Sequence, residues 1–223
     1  MWLSNSSVGR KVVMSVPGLA LILFLTFHMA MNLVALVSAE GYNMICEFLG
    51  ANWYALVATV GLAALFVIHI IYAFWLEIQN RRARGNERYA VTERRKDKVE
   101  WASQNMFVLG VIVILGMALH LFNFWANMQL PELTGIGVFE NNPYILLTTV
   151  FGNWWMLAIY IAWFVAIWYH LVHGFWSMFQ TVGWDGSTWF KRIKVIGVIV
   201  VSVICFLFVA VAVNAFIQAN FIA

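Results

Sequence analysis

Five runs of apolar residues, about Val12 to Val37, Trp53 to Ile78, Met106 to Met128, Tyr144 to Phe179 and Val195 to Phe221, leave this chain few ways to fold. Each reaches the ~20 residues that cross a ~30 Å hydrocarbon layer at ~1.5 Å per residue. Backbone in lipid must satisfy its own hydrogen bonds, which leaves only helices or a closed barrel. Strand-length alternation bounded by turn signals is missing, so the barrel is excluded. The expected fold is all-α: one transmembrane domain, residues 1–223, formed by a bundle of five helices. Composition agrees, since the chain is 63% hydrophobic and 10% charged, where a soluble domain carries about 25% charged residues.

The basic residues set the expected orientation. Arg10 and Lys11 precede the first helix, Arg81, Arg82, Arg84, Arg88, Arg94, Arg95, Lys96 and Lys98 lie between the second and third, and Lys191, Arg192 and Lys194 precede the fifth. All 13 Lys and Arg therefore fall on one side, while Glu40, Glu47, Glu132 and Glu140 lie on the other. The positive-inside rule puts the N-terminus in the cytoplasm and the C-terminus outside. Residues 80–100 form the one strongly charged segment, read as a solvated cytoplasmic loop or a docking platform for a soluble partner. Val37-Ser38-Ala39 resembles a signal-peptide cleavage site, but the preceding run is nearly twice the length of a ~7–15 residue signal core. It is read as a mature helix. Cys46 and Cys205 form no CxxC or CxxCH motif and are read as small apolar residues.

All 5 histidines, His28, His69, His120, His170 and His173, fall inside the apolar runs, where an ionisable side chain is costly and usually marks function. Counting along each helix gives their depths. His28 lies about 16 residues past Val12 and His120 about 14 to 15 residues from the start of the third helix, both roughly 22–24 Å from the basic side. The second and fourth helices run the other way, with His69 about 16 residues past Trp53 and His170 about 16 past Trp154, roughly 24 Å from the acidic side. The histidines sort into two pairs at two depths, with His173 nearly as well placed as His170. Two imidazoles facing each other across a bundle supply the two axial ligands of a six-coordinate haem iron. Two such haems, roughly 15 Å apart along the membrane normal, would carry electrons across the bilayer. A proton relay would recruit intramembrane Asp or Glu, and the span interiors contain none. Gly116, Gly174 and Ala73 each stand four residues from a histidine, on its own helical face, where a porphyrin could approach the backbone or another helix could pack.

These residues resemble the cytochrome b membrane-anchor subunit of succinate:quinone oxidoreductases, the succinate dehydrogenases and fumarate reductases, of the five-helix, two-haem type. The resemblance runs from about Ser6 to Lys194. It rests on Gly18 through Phe27-His28-Met29, on Ile68-His69 before the basic loop, on Trp101 to Gln104 followed by His120-Leu121, and on Tyr169-His170-Leu171-Val172-His173-Gly174-Phe175-Trp176 with Gly183-Trp184. The family's His, three residues, then Gly selects His170 over His173.

The resemblance implies two haem b groups, a proximal one held by His69 and His170 near the cytoplasm and a distal one held by His28 and His120. It implies a cytoplasmic flavoprotein subunit carrying FAD, an iron-sulfur subunit docked on this anchor, assembly of the heterotrimer as a dimer, and residence in a bacterial cytoplasmic (inner) membrane. This chain's share is the quinone half-reaction, with menaquinone the implied substrate. The chain has neither the Gly-rich fingerprint nor the cysteines to host flavin or clusters itself. Glu47 is the candidate proton acceptor as quinol is oxidised, with Glu40 in reserve. Some family members carry a glutamate two residues before the fourth ligand; Trp168 stands there in this chain. Lys191, Arg192, Arg10 and Lys11 are the cations within reach of the proximal haem's propionates. Two rival readings are the haem b anchor of another membrane oxidoreductase and a small secondary transporter, which predicts broken helices and polar midplane residues.

Overall fold

The computed structural model describes residues 6–84, 101–135, 142–184 and 186–222, and these are almost wholly helical, with no strand among them. Helix α1 spans Ser7–Asn32 and runs into a 3-10 turn, Leu33–Leu36. A short helix α2, Ala39–Ala51, follows, then α3, Trp53–Arg84, and a single turn α4, Trp101–Gln104. Helix α5, Met106–His120, passes through a π-helical turn, Leu121–Trp125, into α6, Ala126–Thr134. The chain ends with α7, Pro143–Phe151, α8, Trp154–Thr181, and α9, Ser187–Ile217, which closes in a second π turn. Five of these stretches, Gly9–Leu36, Trp53–Ala83, Met106–Pro131, Trp154–Thr181 and Ser187–Ile222, are long and apolar enough to cross a membrane. The chain is a multi-pass membrane protein. Of the charged segment expected over 80–100, residues 80–84 continue α3, and 85–100 lie outside the described residues, as does Glu140.

The expected fourth helix, 144–179, is two helices. Asn142 caps α7, its Oδ1 accepting the Ile145 N–H at 3.1 Å, and Pro143 fills the first helical position, where a missing N–H costs nothing. Gly152 ends α7, and Asn153 turns extended before Trp154 opens α8. The first helix begins earlier than Val12 for a similar reason. Ser6 caps it, with its Oγ accepting the Gly9 N–H at 2.9 Å. Hydroxyls within the helices, such as Ser15, Thr26 and Thr59, donate to the carbonyl four residues back, so they present no unmet donor to lipid.

Packing centres on α8, which touches α1, α5 and α9. The largest fully buried side chains, Tyr160, Val201 and Ile204, lie on α8 and α9. There Trp168 Nε1 donates to Ser202 Oγ at 2.8 Å. Large apolar side chains point outward all along the spans, Leu23, Val57 and Phe206 among them, as lipid-facing helices require. Helix α3 rests chiefly on α1, and none of its described residues is buried. The helix that carries His69 is thus the most loosely packed of the five spans. At the basic end, Arg10 Nη1 donates to Gln79 Oε1 at 2.6 Å and ties the start of α1 to the end of α3. Lys194 sits over the rings of Trp176 and Phe190, and Arg192 over Trp189.

Candidate functional site

The bundle brings four histidines together as two pairs. His28 of α1 meets His120 at the end of α5, ring centres 5.9 Å apart and planes at 86°. His69 of α3 meets His170 of α8, ring centres 6.3 Å apart and planes at 63°. A metal–imidazole bond is about 2.0 Å, and the ring centre lies about 1.2 Å behind the nitrogen, so two imidazoles on opposite sides of one metal have centres about 6.4 Å apart. Both separations suit that arrangement. His173 instead sets its ring edge-on to Trp176 at 4.7 Å. Two imidazoles fall short of the three or four protein ligands of a zinc site, and among the described residues no group of three or more His, Cys, Asp or Glu gathers. They suit a metal whose remaining positions come from a macrocycle.

The surroundings of the two pairs differ. At the His69–His170 pair, two glycines face the rings from neighbouring helices. A Cβ on Gly18 of α1 would lie 3.6 Å from His69 Cε1, and one on Gly110 of α5 would lie 3.7 Å from His170 Cε1. His69 has the Met14 backbone beside it, while among the described residues the buried Nδ1 of His170 has no hydrogen-bond partner, and a buried nitrogen of that kind calls for one. His28 and His120 lie among aromatic rings: Phe24 and Phe208 beside His28, and Phe124, Tyr160 and Trp163 beside His120.

The two levels can be measured twice over. Gly18 marks the His69 level on α1, and His28 stands ten residues further along, a rise of about 15 Å. Gly110 marks the His170 level on α5, and His120 also stands ten residues further along, again about 15 Å. Helices α1 and α5 therefore run the same way and carry the upper pair at equal height.

Gly116 has a different role from the one its spacing suggests. The Trp163 indole fills its face, where a Cβ would stand 2.1 Å from ring atoms, and Trp163 Nε1 donates to the Val113 carbonyl at 3.2 Å. The small residue admits a tryptophan, which in turn lies against His120. Gly174 has open space where a Cβ would point.

Glu40 and Glu47 are both exposed on α2. Glu40 lies in the first turn behind the Ser38 cap, where a negative charge suits the helix N-terminus. The inward residue of α2 is Tyr42, 7% exposed. Five residues separate it from Glu47, about 140° around the helix, so the carboxylate faces elsewhere. Among the described residues no hydrogen bond or ion pair joins Glu47 to the His28–His120 pair. The polar groups that do approach it went unnoticed in the sequence. Asn32 Nδ2 donates to the His28 carbonyl at 2.8 Å, Tyr42 Oη donates to Asn32 Oδ1 at 3.4 Å, and Asn123 Nδ2 donates to Tyr160 Oη at 3.2 Å. Their signal was available: an asparagine one turn after a histidine, within an apolar run, on two different helices. Asn32 Nδ2 also stands 3.4 Å from His28 Nε2, so the amide reaches the imidazole as well as the backbone.

Compared with protein-family models, with curated proteins and with solved structures, the chain matches none.

Proposed function

We propose that this chain is the di-haem cytochrome b anchor subunit of a succinate:quinone oxidoreductase in a bacterial cytoplasmic membrane. The observation that carries the reading is the pairing of His28 with His120 and of His69 with His170 at separations that suit one metal each. When bound, each haem supplies a one-electron carrier whose potential is tuned by its axial ligands and their surroundings. His28 and His120 would hold the distal group, His69 and His170 the proximal one. Gly18 and Gly110 leave the faces beside the proximal imidazoles clear of side chains. Phe24, Phe124, Trp163 and Phe208 keep water from the distal imidazoles. The basic residues at the proximal end support a cytoplasmic position for that pair by the positive-inside rule, with the flavoprotein and iron-sulfur subunits, their FAD and clusters, docking there. Electrons would pass between those partners and a membrane quinone, menaquinone by family resemblance.

Glu47 remains the candidate acceptor for quinol protons, on the same inter-span helix as Tyr42. A Glu47→Gln variant that keeps both haems and full quinol oxidation would rule it out. The reading as a whole is tested by a reduced-minus-oxidised absorption spectrum of the purified protein with a haem assay. Two b-type haems per chain are expected. No haem signal would overturn the reading, and a ratio near one would remove one pair.

A further inference from the structure

Helices α1 and α5 repeat one arrangement. Each has a glycine at the lower histidine level, a histidine ten residues on and an asparagine one turn beyond that: Gly18, His28 and Asn32, then Gly110, His120 and Asn123. In each case regular α-helix gives way beyond the histidine, to a 3-10 turn directly after Asn32 on α1 and to a π turn directly after His120 on α5. Single π turns inside helices occur frequently at functional sites. In each case the asparagine is bonded to a buried tyrosine from elsewhere in the fold, Asn32 to Tyr42 of α2 and Asn123 to Tyr160 of α8.

These bonds lie where lost hydrogen bonds are expensive. Asn123 is 9% and Tyr160 1% exposed, and the Tyr160 ring packs on His120 with centres 6.2 Å apart. Asn127 secures the π turn by donating from Nδ2 to the carbonyls of Phe122 and Asn123 at 2.9 and 3.0 Å. On the other side, α2 is itself anchored. Asn43 Nδ2 donates to Asn142 Oδ1 at 2.9 Å, and the Tyr144 N–H donates to Asn43 Oδ1 at 2.8 Å, which joins α2 to the start of α7. Among the described residues no amide–phenol pair of this kind reaches the His69–His170 pair.

We infer that the amide–phenol pairs Asn32–Tyr42 and Asn123–Tyr160 are positioning residues that fix the orientation of the His28 and His120 imidazoles and so set the properties of the upper site alone. This rests on the di-haem reading. Neighbours that orient a ligating imidazole tune the metal it holds.

The test is a redox titration and low-spin ferric EPR of the full chain carrying Tyr160→Phe or Tyr42→Phe, changes that remove a hydroxyl and keep the ring. The upper haem is identified as the component lost in His120→Ala. Both variants should keep two haems per chain while the midpoint potential and EPR signal of the upper haem shift and those of the lower one stay put. Unchanged signals in both variants, equal shifts of both haems, or loss of both haems would overturn the inference. A wild-type chain without haem would instead sink the di-haem reading, and this inference with it.

Discussion

Gly18 of α1 lies against the His69 imidazole of α3, so that a methyl group on its α-carbon would stand 3.6 Å from Cε1 and 3.8 Å from Nδ1. Those are ordinary contact distances, and they separate two substitutions. On the di-haem proposal, Gly18→Ala should keep both haems. Gly18→Leu drives a branched chain into the space beside the His69–His170 pair and should lower the haem content from two per chain to one. A pyridine haemochrome assay reads the difference, and two haems in the leucine variant would show that this face does not matter.

His170 and His173 are three residues apart on α8, yet only His170 sets its ring against His69. His170→Ala should therefore lose one haem and leave the component that His120→Ala removes. His173→Ala should keep both. The reverse result in a difference spectrum would exchange their roles.

Gly116→Ala places a methyl 2.1 Å from the Trp163 indole, closer than any real contact. Overpacking of this kind costs about 1–3 kcal/mol. The variant should denature at a lower temperature and lose haem from the His28–His120 pair first, because Trp163 borders His120. Pairing it with Trp163→Leu should restore much of the loss, as measured by thermal release of haem. No recovery in the double variant would mean that the clash is not the cause.

Cys46 lies on α2, outside the spanning helices, and burial pushes its thiol up to about 11 against a smaller downward pull from its hydrogen bond to Tyr42. Its charged form is the thiolate, so a raised value means less of it at neutral pH. At pH 8 an ordinary thiol near 8.5 is about one quarter thiolate, and one near 11 about one part in a thousand. Maleimide labelling at Cys46 should be more than about 100-fold slower than that of a free thiol at pH 8, and should rise about tenfold per pH unit to pH 10. A rate already on its plateau at pH 8 would contradict the burial.

Some of this architecture is legible in residues taken singly. Trp53 and Trp154 open the helices whose lengths give the depths of His69 and His170, and the depth count brings together the histidines whose rings meet, with only the choice between His170 and His173 left to family spacing. The start of α7 was legible too, in Asn142-Pro143, and its break from α8 in Gly152-Asn153, but a continuous apolar run hides that break from any measure of hydrophobicity. Hydropathy reports which solvent a segment prefers, and both α7 and α8 prefer lipid.

Five apolar helices, a single basic end and the levels of the four paired histidines follow from the residues in order, because each rests on helix rise and the cost of charge in lipid. Helix packing settled which atoms share each level. It gave Gly116 to Trp163, turned Glu47 away from the histidine pair while bringing in Tyr42, and joined Asn123 to Tyr160 across 37 positions of chain. Those outcomes depend on how each helix is rotated about its axis and where its regular turns give way. That rotation is set by side chains from several helices filling one volume, and no segment carries it alone.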